Sequence, residues 1–286
     1  MTIHVYPLIR RIKQQWIEPL AEGAKKHGWS TVLYEQRLDA VKEGDILVTW
    51  NRHADQDVPA RQVEDRGGKV ICLENPYLKM EDKDWVSVGL GFHNNIKYAP
   101  KCLDNGERFK SFNKEIKPWR QTGKHILFPT QSKQFNQRGL GWREYASPAG
   151  CDNMLLSRIR KNTERKIIFR IHPNSEDMTA IRNRLGKGIE VTNVSYDRTP
   201  MSDDLNNAWA TVVWTSNSAT DSLMNGVPVF VCGPGVYMSE LCGADLKEIE
   251  QPKLLDARQT LFNRMAWAQY SMDEVKSGFM FDSIWK

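Results

Sequence analysis

Two short stretches of the chain combine residue types and spacings suited to gripping an anion. Thr215-Ser216-Asn217-Ser218 places four small polar side chains directly after the β-branched, aromatic run 211–214. A helix over 219–225 should begin there, with Gly226 as its stop, and the apolar run 227–232 reads as the next strand. A strand–turn–helix of this kind offers hydroxyls together with the orphan N–H groups of a helix N-terminus, where the dipole favours negative charge, most often a phosphate. The second stretch is the apolar run 166–171, followed by His172 and Pro173. Arg170 and His172, two residues apart, share one side of an extended strand. Pro173 stops that strand. Each stretch alone has an ordinary structural explanation, a capped helix or a core histidine. Consecutive α/β units of one sheet carrying both point to a shared phosphate site at the carboxyl edge.

The elements that must position these residues alternate in type along the whole chain. Strands are expected at 3–6, 31–34, 46–50, 70–73 and 85–90, then at 125–129, 167–171, 189–192, 211–214 and 228–232. An amphipathic helix over 11–26 carries Ile12, Trp16, Leu20 and Ala24 on one face and stops near Gly28. A second helix, with Val58, Ala60, Val63 and Ala54, joins the third and fourth strands. The segment 254–285 reads as helical, with Leu255, Leu261, Met265 and Ala268 as its stripe. Residues 92–123, rich in Lys, Asn and Gly, read as a long loop or linker. Strands alternating with helices imply an α/β fold with parallel sheets.

The strand-R-x-H-P and strand-T-S-x-S…G-V-P-V pattern resembles the carboxyl half of GT-B glycosyltransferases. The likeness is to the capsular-polysaccharide Kdo-transferase and bacterial sialyltransferase-like group. Arg170, His172 and Pro173 match the first motif; Thr215, Ser216, Asn217 and Ser218 match the second; Gly226 to Val229 match its tail. The strand ending at Pro129, with Thr130, Gln131 and Ser132 after it, is similar to the turn that opens the donor domain. The resemblance spans residues 124–240. It implies two Rossmann-like parallel-sheet domains with a cleft between them: 1–123 on the acceptor side and 124–271 binding the donor, with 272–286 crossing back. It also implies a nucleotide sugar, UDP- or CMP-linked, as co-substrate. Its phosphates and ribose would be held by Arg170, His172, Pro173, the 215–218 turn, Gln131 and Ser132.

Transfer to a hydroxyl needs a group to take the proton and donors for the leaving phosphate. The second role falls to the residues just named. For the first, candidates sit where the early strands end. Glu74 is the first choice because it closes a buried strand, where desolvation raises a carboxyl pKa. Asp55 and His53 follow, and ordinary turn chemistry is the competing explanation for all three. Asp55-Gln56-Asp57 has a D-x-D form, but N-capping of a helix starting at Val58-Pro59 explains it better. The Gly-x-Gly pairs lack a full dinucleotide fingerprint, and zincin and Walker motifs are missing, so no catalytic metal and no tightly bound cofactor is expected.

Charge bears on the acceptor. Residues 101–200 hold 20 Lys and Arg against 10 Asp and Glu, whereas the whole chain is only +5. Two clusters stand out, Lys110-Lys114-Lys117-Arg120-Lys124 and Arg158-Arg160-Lys161-Arg165-Lys166. A nucleotide diphosphate needs two or three of these charges, which leaves a surplus suited to a polyanion. DNA bearing a 5-hydroxymethyl pyrimidine is the expected acceptor, reached by base flipping in the manner of phage DNA glycosyltransferases. Arg52, His93, Asn94, Lys110, Lys114, Lys117, Arg120, Arg138, Trp142 and Arg143 are its candidate contacts, with Phe92, Tyr77, Trp119 or Trp142 stacking on the extruded base. A capsular or lipopolysaccharide sugar transferase is the first alternative. A non-catalytic nucleic-acid-binding protein on the same scaffold and a nucleotide-sugar epimerase are the others.

Composition sets the remaining bounds. With 286 residues, one large or two small domains fit. No apolar run approaches a membrane span and the N-terminus reads as a strand, so no membrane association and a cytoplasmic location are expected, host cytoplasm if the gene is a phage's. Five scattered cysteines without a C-x-x-C suggest neither disulfides nor zinc, and Cys72 and Cys232 read as core residues. Nothing requires an obligate protein partner.

Overall fold

Continuous runs of Val, Ile and Leu bounded by polar turns become buried strands, and here they build two sheets. The computed structural model describes residues 4–8, 12–33, 38–52, 54–78, 82–92, 94–99, 106–130, 151–172, 185, 188–192, 200–233 and 238–284. In chain order the elements are β1 (His4–Pro7), a 3₁₀ turn (Gln14–Trp16) leading into α1 (Ile17–Lys26), β2 (Ser30–Thr31), β3 (Ile46–Trp50), α2 (Ala54–Glu64), β4 (Lys69–Glu74), β5 (Trp85–Leu90) and α3 (Glu107–Lys110). There follow β6 (His125–Pro129), α4 (Cys151–Arg160), β7 (Lys166–Arg170), β8 (Ile189–Thr192), α5 (Met201–Leu205), β9 (Ala208–Val213), α6 (Ser218–Met224) and β10 (Val229–Val231). The last are α7 (Arg258–Trp267), β11 (Gln269–Ser271), α8 (Met272–Lys276) and α9 (Phe279–Ile284). Two compact units result. One holds the described residues up to Lys114 and from Thr260 onward; the other holds those from Glu115 to Gln259.

In the first unit the strand order is β11-β5-β4-β3-β1-β2. The four strands from β4 to β2 are parallel, and the order reverses between β1 and β3. Each strand splits its side chains between two cores. Ile46, Val48, Ile71 and Leu73 meet Trp16, Leu20 and Ala24 of the α1 side, whereas Leu47, Val70 and Cys72 meet Ala60 and Val63 of α2. Gly23 permits the close seating of α1 on α8, since a Cβ there would lie 2.1 Å from the Val275 carbonyl oxygen.

Several expectations are corrected in this unit. The sheet is not wholly parallel: β5 runs antiparallel to β4, and β11 antiparallel to β5. Residues 75–84 are too few for the crossover that a parallel pair needs. The 254–285 segment is not one helical stripe. Leu255 lies exposed ahead of α7, and the chain then turns from helix to strand and back to helix. Val58 is 60% exposed, so the buried stripe of α2 is Ala60 and Val63 without it. That helix starts at Ala54, which puts Pro59 inside it and Asp57 beyond a capping position. The presumed linker contains α3, where Phe109 stacks near Phe262, and Phe112 meets Trp85 edge-on.

The second unit has strand order β10-β9-β6-β7-β8, every pairing parallel. The chain starts at β6, steps outward through β7 to β8, then returns to β9 on the other side. That reversal between β6 and β9 is a topological switch point, where side chains at the carboxyl ends are left uncovered by crossovers. Ile126, Phe128, Ile167, Phe169, Ala210 and Val212 pack against Leu155 and Ile159 of α4. Leu127, Ala208 and Val227 pack against Leu205 of α5 on the opposite face.

Candidate functional site

The carboxyl edge of β6, β7 and β9 brings three predicted turns to one side of the second unit. Thr130, buried beyond β6, donates its N–H to the Arg170 carbonyl at 2.9 Å. Its hydroxyl oxygen accepts the His172 N–H at 3.0 Å. The two turns therefore share one hydroxyl, a link that pattern reading of either motif alone missed; a Thr right after the strand-closing Pro129 was its only local signal. His172 is half-buried, and burial lowers its imidazole pKa below the ordinary value. That shift favours the neutral imidazole, which can both donate and accept a hydrogen bond.

Arg170 behaves differently from the expectation. Its guanidinium is buried and ion-paired with the equally buried Asp204 of α5. The Asp204 carbonyl also accepts a hydrogen bond from the His125 ring at 2.8 Å. Arg170 ties β7 to α5, and its charge is already balanced by Asp204.

After β9, the Ser216 and Ser218 hydroxyls lie 2.7 Å apart. The expectation of orphan amides at this helix start needs correction. The Ser218 N–H is directed to Ser216 Oγ, Ala219 N–H to Ser216 O, and Thr220 N–H to Asn217 O. The turn thus carries the Ser216 and Ser218 hydroxyls in place of three unpaired N–H groups. Thr215 is buried, and a Cβ on Gly233 would meet its methyl group at 2.7 Å, so the turns after β9 and β10 are tightly seated.

The first unit has its own carboxyl edge. Glu74 closes β4 and is half-buried. Loss of water pushes its carboxyl up to about 7, against the opposing pull of the Asn75 N–H and the Lys13 charge. The Asn75 N–H donates to Glu74 Oε1 at 2.8 Å. Asn51, directly after β3, sits at φ +60 with its side-chain oxygen buried and without a partner among the described residues. Such a group calls for a partner.

Other predicted contacts are placed elsewhere. Arg52 is 2% exposed and gripped by the carboxylates of Asp57 and Glu64 and the Gly91 carbonyl. A guanidinium so enclosed braces the turns of its own sheet and does not reach an acceptor. Asn94 is buried, its side-chain oxygen taking the Tyr77 hydroxyl at 3.3 Å. Tyr77 is itself 2% exposed and unsuited to stacking on a base. Phe92 is half-buried. Trp119 has the Arg258 guanidinium 3.8 Å from its ring centre. Lys110 pairs with Glu107, Lys117 donates to Asn225, and Arg120 donates to the Leu205 carbonyl, while Lys114 is exposed. In the second basic cluster Arg160 holds the Arg165 and Gly188 carbonyls, Arg165 pairs with Glu250, and Lys166 pairs with Glu190. His53, the Asp55 side chain, His93, Gln131, Ser132, Arg138, Trp142, Arg143 and Pro173 lie outside the described residues. Among the described residues no helix is long and apolar enough to cross a membrane.

Two α/β units rich in parallel strands, in a single chain, define a GT-B-type fold. Within that class the chain is similar to two solved structures of KpsC from Thermosulfurimonas dismutans. Against its β-Kdo 2,4-transferase the TM-score is 0.60 at 14% identity, covering 92% of this chain and 90% of that one. Against its β-Kdo 2,7-transferase the TM-score is 0.57 at 16% identity, covering 100% of both. At such identities the likeness carries the fold. No protein-family model and no curated protein matches the chain.

Proposed function

We propose that this protein is a glycosyltransferase that uses a nucleotide sugar, CMP- or UDP-linked, and extends an anionic saccharide of the capsular or lipopolysaccharide kind. The observation that carries the reading is the edge at the β6/β9 switch point, where Thr130, His172, Ser216 and Ser218 present hydroxyls and a neutral imidazole from adjacent turns. Hydroxyl and imidazole groups fixed before the reaction suit a leaving phosphate. The fold's likeness to two Kdo transferases supports a sugar donor and an acidic sugar acceptor. Glu74 supplies the proton acceptor, because a half-buried carboxyl titrating near neutrality matches what a general base requires.

The DNA-acceptor reading rests on surplus positive charge, an expected cytoplasmic location and compact size, with no motif behind it. Much of that charge in the described residues is engaged within the protein, which favours the saccharide. His172→Ala and Ser216→Ala should each weaken nucleotide-sugar binding about tenfold, the worth of one hydrogen bond to a charged group. Titration calorimetry against CMP- and UDP-sugars reads this directly, and unchanged affinity in both variants removes the site. Radiolabelled sugar should pass to acidic oligosaccharides and not to hydroxymethylated duplex DNA. Labelling of the DNA alone would reverse the choice of acceptor.

A further inference from the structure

Lys13 precedes the 3₁₀ turn that follows β1, beside the strand-order reversal of the first sheet. Its ammonium donates to the Asn75 side-chain oxygen at 3.1 Å and lies 4.2 Å from the centre of the Trp50 ring. Gln15 pins the same turn by donating to the Lys83 carbonyl at 2.6 Å. Asn75 faces two ways. Its side-chain oxygen accepts from the lysine, and its backbone N–H donates to the Glu74 carboxylate. Trp50, closing β3, and Asn75, just after β4, thus hold an exposed lysine beside a half-buried acid.

We propose that Lys13 is a positioning residue for the transfer reaction, its ammonium, fixed by Trp50 and Asn75, supplying the counter-charge that readies the Glu74 carboxylate to take the acceptor's proton. This rests on the reading of Glu74 as the base. In the step, the acceptor oxygen bonds to the anomeric carbon and its proton passes to Glu74. The nucleotide phosphate leaves with the electron pair of the broken bond. The geometry explains why a cation is needed here: desolvation opposes the charged carboxylate, and a single N–H is its one hydrogen bond among the described residues. The other charged groups nearby do not replace it. Lys83, ahead of β5, acts on Lys13 itself. Arg52, after β3, is turned to Asp57 and Glu64. The Cys72 thiol on β4 is kept neutral by burial.

The test follows the Glu74 carboxyl by carbon-13 NMR through a pH titration, in the full chain and in Lys13→Met and Lys13→Arg. Methionine keeps the stem against Trp50 and removes the charge. Its midpoint should rise by about half a pH unit to one unit, and Lys13→Arg should restore most of the difference. The acid limb of the kcat/KM profile should move with it. An unmoved midpoint in Lys13→Met overturns the inference, as does a uniform loss of activity with the acid limb in place. A shifted midpoint with an unshifted limb also overturns it, by detaching Glu74 from the chemistry. In that case the His172→Ala donor-binding result still decides the transferase reading separately.

Discussion

A single carboxyl, Glu74, the base of the proposed reaction, carries a stability signature of its own. Its folded pKa of about 7 lies above the ordinary 4.5, so between those values the unfolded chain releases a proton that the folded chain keeps. Stability is therefore undiminished at the acid end and declines as pH rises through that window. Relative to Glu74→Gln, the wild type should match below about pH 4.5, lose stability up to about pH 7, and run parallel beyond it. Urea unfolding at a series of pH values measures the difference, and a flat difference would show that burial does not govern this group. The same variant should lose transfer by about 10² to 10⁴. At this scale the sequence was a partial guide. A carboxylate closing an apolar strand could be picked out because strand ends are where α/β sheets expose side chains. Lys13 could not, because its bond to Asn75 spans 62 positions and nothing local announces it. Arg52 and Arg170 looked like ligand-binding cations, yet Arg52 is matched by Asp57 and Glu64 of the following helix and Arg170 by Asp204, an acid that only folding brings close.

Among the elements, α6 shows how a short helix is held from its far end. Gly226 follows it at φ +73, and a Cβ there would sit 1.9 Å from the Pro118 carbonyl oxygen. The segment 117–120 crosses this end: Lys117 N–H donates to Met224 O, Arg120 N–H donates to Gly226 O, and Arg258 donates to the carbonyls of Lys117 and Leu223. Gly226→Ala combines a left-handed backbone with a steric clash, and should cost at least about 2 kcal/mol. An unfolding free energy, from urea titration, unchanged to within about 0.5 kcal/mol would mean the segment yields freely. Gly226 as a helix stop was readable in the sequence, as were β3, β5, β6 and β8, whose limits coincide with their apolar runs. The strand β11 was not. Gln269-Tyr270-Ser271 has no strand pattern of its own, and its conformation comes from pairing with β5. Likewise α3 spans four residues in a polar stretch, and its place is set by Phe109 and Phe112 burying themselves among distant aromatics.

For the molecule as a whole, the two units differ in how they draw on the chain. The second takes its described residues from 115–259, whereas the first needs both 4–114 and 260–284. A fragment of residues 115–259 should fold alone, with a cooperative urea transition and mixed helix-and-strand circular dichroism. A fragment of residues 1–114 should stay largely unfolded, and addition of a 260–286 peptide should rescue it. Cooperative unfolding of 1–114 by itself would refute this. One strand then governs the order of events during synthesis. Because β11 completes the edge of a sheet whose other members were translated more than 170 residues earlier, the ribosome releases a finished later unit before the earlier one can close. Until β11 arrives, nascent β5 carries an open flank, the kind of edge that mispairs most readily.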